Sequence, residues 1–251
     1  MLLAVTVSGR GGSFYDVPHV FERYLDHRHS GVSSPNQVME EPALLEELGT
    51  VGGLRVLDLG CGDAAIGQTL LNAGCHSYLG LDGSAAMVEA GNAALRGTPG
   101  RVELADIEDF SAPPSSFDLI VSRLAFHYVD DLQPVLDACH ACLSPGGRIV
   151  FTVAHPVLSS HDSGTQGKRT SWVVDDYFVK GPRERSWMGG TVTWFHRTVE
   201  DYVVALMKAG FSLSSLRECA PSEDLFNGDV AELERRRRVP LFLLLAGTRI
   251  G

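Results

Sequence analysis

The stretch LRVLDLGCGDA, residues 54–64, constrains this chain more than any other segment. Its apolar residues Val56, Leu57 and Leu59 suit a strand covered on both faces, as in a parallel sheet. Gly60 and Gly62 follow, and glycine there lets the backbone turn tightly and lets a ligand approach it. A helix is expected from about 64 to 73. Asp58 then stands near the carboxyl end of a buried strand, and in open α/β sheets ligands bind in the crevice beyond such ends.

The segments that follow keep the alternation. Strands are expected at 77–81, ending at Asp82; at 101–104, ending at Ala105-Asp106; at 117–121; and at 148–153. Helical patterns fall between them, from Ser84, an N-cap, to Leu95 and from Leu132 to Leu143. Ser144-Pro145-Gly146-Gly147 marks a sharp turn before the fifth strand. Strands separated by helix-length segments imply a parallel sheet with right-handed crossovers. Residues 155–197 then lose any clean period, yet hold all three tryptophans, Trp172, Trp187 and Trp194. A helix starts near Thr198, in capping-box spacing with Asp201, and ends at Gly210. The stretches 211–216 and 241–246 read as two closing strands, and Arg235 to Arg238 between them as a solvated face. Ahead of the first strand, residues 14–48 are mostly helical around an extended VSSPNQ, and 1–13 read as a loose arm.

A chain of 251 residues suits one enlarged α/β domain, here 1–250, and its 44% hydrophobic content is ample for a core. The net charge of -10 argues against a nucleic-acid partner, because phosphate binding needs a basic surface. There is no run of about 18 apolar residues, so no membrane span is expected. No basic region precedes the short apolar run at the N-terminus, so no signal peptide is read. The five cysteines show no disulfide spacing, which makes a reduced cytoplasm the expected location. The lone pair Cys139 and Cys142 reads as small buried hydrophobes, and no metal site is expected.

Two cofactors could use the glycine turn. Gly60 to Ala65 formally satisfies a dinucleotide pattern, which is a weak signal alone. Asp58 points elsewhere, since an acid beside the turn would repel a pyrophosphate. S-adenosylmethionine has no phosphate and carries a cationic ammonium group. Residues 58–64 resemble the Asp/Glu-x-Gly-x-Gly-x-Gly motif of class I S-adenosylmethionine-dependent methyltransferases, with Ala64 in place of the third glycine. Further segments carry the likeness in order: GLDGSAAM (80–87), LADIE (104–108), FDLIVSRLAFHY (117–128) and LSPGGR (143–148).

That resemblance implies a Rossmann-like, doubly wound sheet of seven strands in the order 3-2-1-4-5-7-6, with strand 7 antiparallel. It implies S-adenosylmethionine as cofactor and S-adenosylhomocysteine as product. Asp82, at the second strand's tip, would accept both ribose hydroxyls beside Gly83, as such acids do in dinucleotide folds. Met87 would pack on the adenine, and Asp106 with Ile107 would hold its amino group. Asp58, Gly60, Cys61 and Gly62 form the turn under the cofactor. Ser122 and Arg123 would face the methionine portion. His127 reads as a packed residue more than a catalyst. In relatives with a similar leading segment, a tyrosine and an arginine hold the methionine end. Tyr24 and Arg28 share a helical face here, with His29 and Glu40 near enough to join this lid.

Methyl transfer asks the protein mainly for orientation and exclusion of water, and for a base only where the nucleophile must lose a proton. The candidates are Tyr24, His29, His155 and His196. Residues 172–195 carry six aromatics, about three times the chain's 8% background. An aromatic-rich cap formed by 155–197 suits a flat or apolar acceptor, held by Trp172, Trp187, Trp194 and Phe195. A second small core beneath a long insertion is the plainer reading of the same residues. The expected acceptor is a small apolar, aromatic molecule, as in bacterial secondary-metabolite or quinone-type relatives, some of which methylate an indole carbon. O- or N-methylation, or an idle methyltransferase-like binding subunit, are the other readings. Monomer and homodimer stay equally open.

Overall fold

A computed structural model describes residues 8–9, 11–29, 34–160 and 171–250, with backbone alone at 8–9 and 27–29. Seven strands form the central sheet: β1 (Arg55–Leu59), β2 (Ser77–Asp82), β3 (Gly100–Leu104), β4 (Phe117–Arg123), β5 (Leu143–Ala154), β6 (Phe211–Glu218) and β7 (Phe242–Arg249). Their order is β3-β2-β1-β4-β5-β7-β6. Strand β7 runs antiparallel to both neighbours and the other pairings are parallel. This is the doubly wound, Rossmann-like sheet expected from the sequence.

Period-two alternation explains how the sheet is filled on both faces. Val56, Leu119, Val121, Val150 and Leu244 point to one side, against Leu44 and Leu48 of the helix Glu41–Leu48 and Ile66 and Leu70 of the helix Ala65–Asn72. Leu57, Ile120, Ile149, Phe151 and Leu243 point to the other, against the helices Leu132–Cys142 and Val199–Lys208. Cys139 and Cys142 are free, fully buried thiols within that second layer. Thr198 and Asp201 make the reciprocal capping box their spacing predicted.

The turn expected at 144–147 lies inside β5 as an irregularity. Phe117 faces Leu143 and Leu119 faces Arg148, so the four residues between loop out of register, with Gly146 at φ 76°. The arginines at 235–237 pair with Glu232 and Glu234 of their own helix.

The regions flanking the core depart most from the sequence reading. Residues 155–197 are not aperiodic throughout. Gly181–Trp187 and Gly190–His196 form an antiparallel hairpin, closed by Met188 and Gly189, both at positive φ, as two-residue hairpin turns require. Ser8–Gly9 of the supposed loose arm adds to this hairpin as a parallel edge strand. Pro35 and Asn36, expected to be extended, lead instead into a π-helical turn, Asn36–Glu40, that runs into the next helix. A third small core joins the two regions: Phe14, Val20 and Val192 are buried together, with Tyr15, Tyr128, Trp187 and Trp194 packed on them. Among the described residues no helix is long and apolar enough to cross a membrane.

Candidate active site

A cavity of about 610 Å³ opens beyond the carboxyl ends of β1, β2 and β4. At one end lie Asp58, Gly60, Cys61, Gly62, Asp82, Gly83, Met87, Asp106 and Ile107. Gly60 and Gly62 sit at φ 75° and 56°, the left-handed region that favours glycine. A Cβ on Gly60 would stand 2.3 Å from the Ala125 Cβ, and one on Gly83 would stand 2.5 Å from the Asp106 carboxylate. The backbone therefore forms a cradle that side chains would fill.

Asp58 and Asp82, two acids of this cradle, are held in place by hydrogen bonds from the chain. Asp58 is fully buried and accepts the Tyr78 hydroxyl at 2.6 Å. Asp82 accepts the Gly62 and Ser84 amides at 2.8 and 2.9 Å. Burial pushes the Asp82 carboxyl above its ordinary range; those amides oppose the shift, and Asp16 and Asp106 add to it. Burial likewise pushes the Cys61 thiol well up, helped by Asp58 and Asp82. Ser84 caps the helix Ala85–Ala94 by accepting from the Met87 amide.

The other end is walled by Tyr15, Tyr24, His127, Tyr128, Trp187 and Trp194. The Tyr15 and Tyr128 hydroxyls are 3.0 Å apart, and Tyr24 packs edge-on against Tyr15. The Tyr24 hydroxyl lies 3.8 Å from where a Gly62 Cβ would stand, so it reaches back to the cradle. Arg123 is the cavity's single arginine or lysine among the described residues. Its guanidinium pairs with Glu40 at 2.7 Å and Glu41 at 2.8 Å, and Thr152 donates to Glu40 at 2.7 Å.

Of the residues singled out from the sequence, Tyr24, Asp58, Gly60, Cys61, Gly62, Asp82, Gly83, Met87, Asp106, Ile107, Arg123, Trp187 and Trp194 line this one cavity. Among the residues whose side chains are described, the others do not join it. Ser122 is turned into the core, donating to the Leu59 carbonyl at 2.8 Å. Trp172 donates its indole N–H to the Val157 carbonyl, and Phe195 is buried outside the lining. His155 is bonded to Glu218 and to the Val157 amide. His196 is bonded to the Ser159 hydroxyl and the Tyr177 carbonyl. The side chains of Arg28 and His29 lie outside the described residues. Tyr15 and Tyr128 went unnoticed in the sequence. Nothing local marks Tyr15, whereas Tyr128 adjoins a motif already recognised.

The cradle fits a nucleoside that carries positive charge and no phosphate. Asp58, Asp82, Asp106 and Glu108 line it, and the one arginine is engaged by two glutamates. A pyrophosphate would meet acids where it needs donors.

Comparison with known proteins agrees. Residues 57–149 match the family described as a methyltransferase domain. A protein of Haemophilus influenzae is 30% identical over 218 residues, 82% of this chain and 85% of its own. An uncharacterized methyltransferase of Mycobacterium tuberculosis is 30% identical over 147 residues, 57% of this chain and 72% of its own. The crystal structure of an S-adenosylmethionine-dependent methyltransferase from Mesorhizobium loti superposes with a TM-score of 0.77 at 36% identity, covering 86% of this chain and 98% of that one. This chain belongs to the S-adenosylmethionine-dependent methyltransferases. Its cofactor is S-adenosylmethionine, and its seven-stranded Rossmann-like sheet, mostly parallel with one antiparallel strand, is that of the methyltransferase fold. The family match ends at 149, so the arm, the hairpin and the wall residues Tyr15, Tyr24, Trp187 and Trp194 of this methyltransferase lie outside it, whereas His127 and Tyr128 lie within it.

Proposed function

We propose that this methyltransferase delivers its methyl group to a small, apolar, aromatic acceptor bound against the wall of Tyr15, Tyr128, Trp187 and Trp194. The observation that carries this reading is continuity: one cavity runs from the cradle to that wall. Aromatic faces over a cofactor crevice favour a flat ring, and few polar groups are placed to fix it.

In this reading Asp82 takes the ribose hydroxyls, Asp106 and the Ile107 backbone the adenine amine, and Met87 the adenine face. Asp58, Tyr24 and Arg123 surround the methionine end. The cofactor, when bound, supplies a sulfonium methyl already activated for transfer. The chain's own work is to align the acceptor, exclude water and accept any proton released. The lid of residues 14–48 and the cap hairpin, joined by their shared small core, supply that exclusion.

Carbon methylation of an indole ring is the narrower form of this reading, and it requires a proton acceptor. Of the base candidates whose side chains are described, Tyr24 alone lines the cavity. O- or N-methylation of another small metabolite asks less of the protein. Incubation with labelled cofactor and a panel of indoles, phenols and amines, read by mass spectrometry, tests the class. Label on amines alone would overturn it. Tyr24→Phe should slow turnover at least tenfold on a carbon acceptor, and a wild-type rate would remove its hydroxyl from the chemistry.

A further inference from the structure

His127, on the aromatic wall, has no task in the reading above. His127 lies on the single 3-10 turn Phe126–Tyr128 that follows β4. Two residues earlier, Ala125 presses on Gly60, so the ring stands where the cradle meets the aromatic wall. The ring is 4% exposed and lines the cavity. It is clamped between Tyr128 and Trp194, at centroid distances of 4.5 and 4.6 Å. Its Nδ1 accepts the Ala154 amide at 3.4 Å. A proton on Nδ1 would set donor against donor, so the neutral ring carries its proton on Nε2. Among the described residues no protein group bonds to Nε2. Burial, with Arg197 and Arg185 nearby, pushes the ring's pKa down to about 3, so it stays neutral and holds this tautomer at physiological pH.

The neighbours set what this donor can meet. Burial raises the pKa of both Tyr15 and Tyr128, so both phenols keep their protons. Two protons serve one bond between them, which leaves one more neutral donor at this end. An ammonium group has no lone pair with which to accept from Nε2–H. A carboxylate would enter beside four acids, with Arg123 engaged by Glu40 and Glu41. A neutral oxygen satisfies the donor at neither penalty.

We infer that His127 is a specificity-determining residue whose Nε2–H recognises a neutral oxygen, a carbonyl or a hydroxyl, on the acceptor's aromatic body. This rests on the aromatic-acceptor reading and narrows it. The test uses protein saturated with S-adenosylhomocysteine and four matched probes: naphthalene, 2-naphthol, 2-acetylnaphthalene and 2-(aminomethyl)naphthalene. Binding is read by ligand-observed NMR. Wild type should hold the naphthol or the acetyl probe about five- to tenfold more tightly than naphthalene, as one buried neutral hydrogen bond allows. The tighter of the two identifies a hydroxyl or a carbonyl. The aminomethyl probe, which cannot accept from Nε2–H, should bind equally to wild type and His127→Phe. His127→Phe should erase the preference while keeping naphthalene, and His127→Gln, which retains a donor, should restore most of it. Nitrogen-15 histidine spectra of wild type should show the Nε2–H tautomer, with that proton shifting when the preferred probe is added. An unchanged preference in His127→Phe, or an Nδ1–H tautomer, overturns the inference alone. Failure of every naphthalene to bind wild type overturns the aromatic-acceptor reading beneath it.

Discussion

Asp82 and Asp118 are the same residue type on the two strands that flank β1, at opposite ends of the sheet. Asp118 opens the buried run of β4 at the amino end. It accepts from the Arg55 amide, Nε and Nη2 at 3.0, 2.9 and 2.8 Å, and from the Ser144 hydroxyl at 3.0 Å. The Arg55 hydrogen bonds hold its carboxyl well below the usual carboxylate range. Asp82 closes β2 at the carboxyl end, where it accepts from two backbone amides and its neighbours include Asp16 and Asp106. Among the described residues, the chain neutralises the charge at one end and leaves it standing at the other. Perturbed carboxylates of the second kind mark places where a ligand completes the electrostatics.

That contrast is broken most forcefully at the cradle itself. Gly60→Val adds atoms where even a Cβ lies 2.3 Å from Ala125, at a φ that L residues rarely adopt. It should destabilise the fold by about 2–4 kcal/mol and abolish binding of S-adenosylhomocysteine. Tight binding in a calorimetric titration would show that the cradle is looser than its geometry. Asp82→Ala comes next, with affinity for the same ligand falling about ten- to a hundredfold, the range for losing charge-assisted hydrogen bonds. An unchanged affinity would remove the distinction between the two aspartates. Further from the cradle, Trp187→Ala and Trp194→Ala should raise the acceptor's KM several-fold more than they weaken cofactor binding. If both leave that KM untouched, the aromatic wall has no part in acceptor binding.

The carboxyl end of the sheet was legible in the sequence because its parts are local. A glycine at a tight turn and an acid at a strand tip announce themselves within a few positions, as at Asp58-Leu59-Gly60, at Asp82-Gly83 and at Asp106. Alternation of apolar residues gave the sheet, and the capping box at Thr198 gave its last long helix. The aromatic wall was half legible. Composition pointed to Trp187 and Trp194, but also to Trp172 and Phe195, which face elsewhere, because enrichment carries no direction. Tyr15 escaped because its place depends on Ser8–Gly9 pairing with a hairpin nearly 200 positions away, a contact that no local period encodes. His155 and His196 drew notice as titratable groups, yet each is bonded on both ring nitrogens within the chain. The Arg55–Asp118 pair also joins residues far apart in sequence and has no motif of its own.

The smallest expected effect separates the two aspartates by sign. A carboxyl whose folded-state pKa is depressed adds stability that is complete above its unfolded value, about 3.9, and is lost as pH falls from there toward the folded value. Asp118 is of this kind, and it is partly exposed, which screens the pair. Asp118→Asn should therefore lower the melting temperature of the ligand-free protein by about 2–4 °C at neutral pH, with the gap to wild type closing as pH drops below about 4. Asp82 has the opposite shift, so its ionisation in the folded state removes stability as pH rises from about 3.9 through the raised value. Relative to Asp82→Asn, wild type should lose ground across that higher window and change little below it. Thermal melts of both variants and wild type across the acid range make the comparison direct. Two gaps that move in the same window and with the same sign would mean that both ends of the sheet hold their acids alike, and the carboxyl end would lose its electrostatic claim to the ligand.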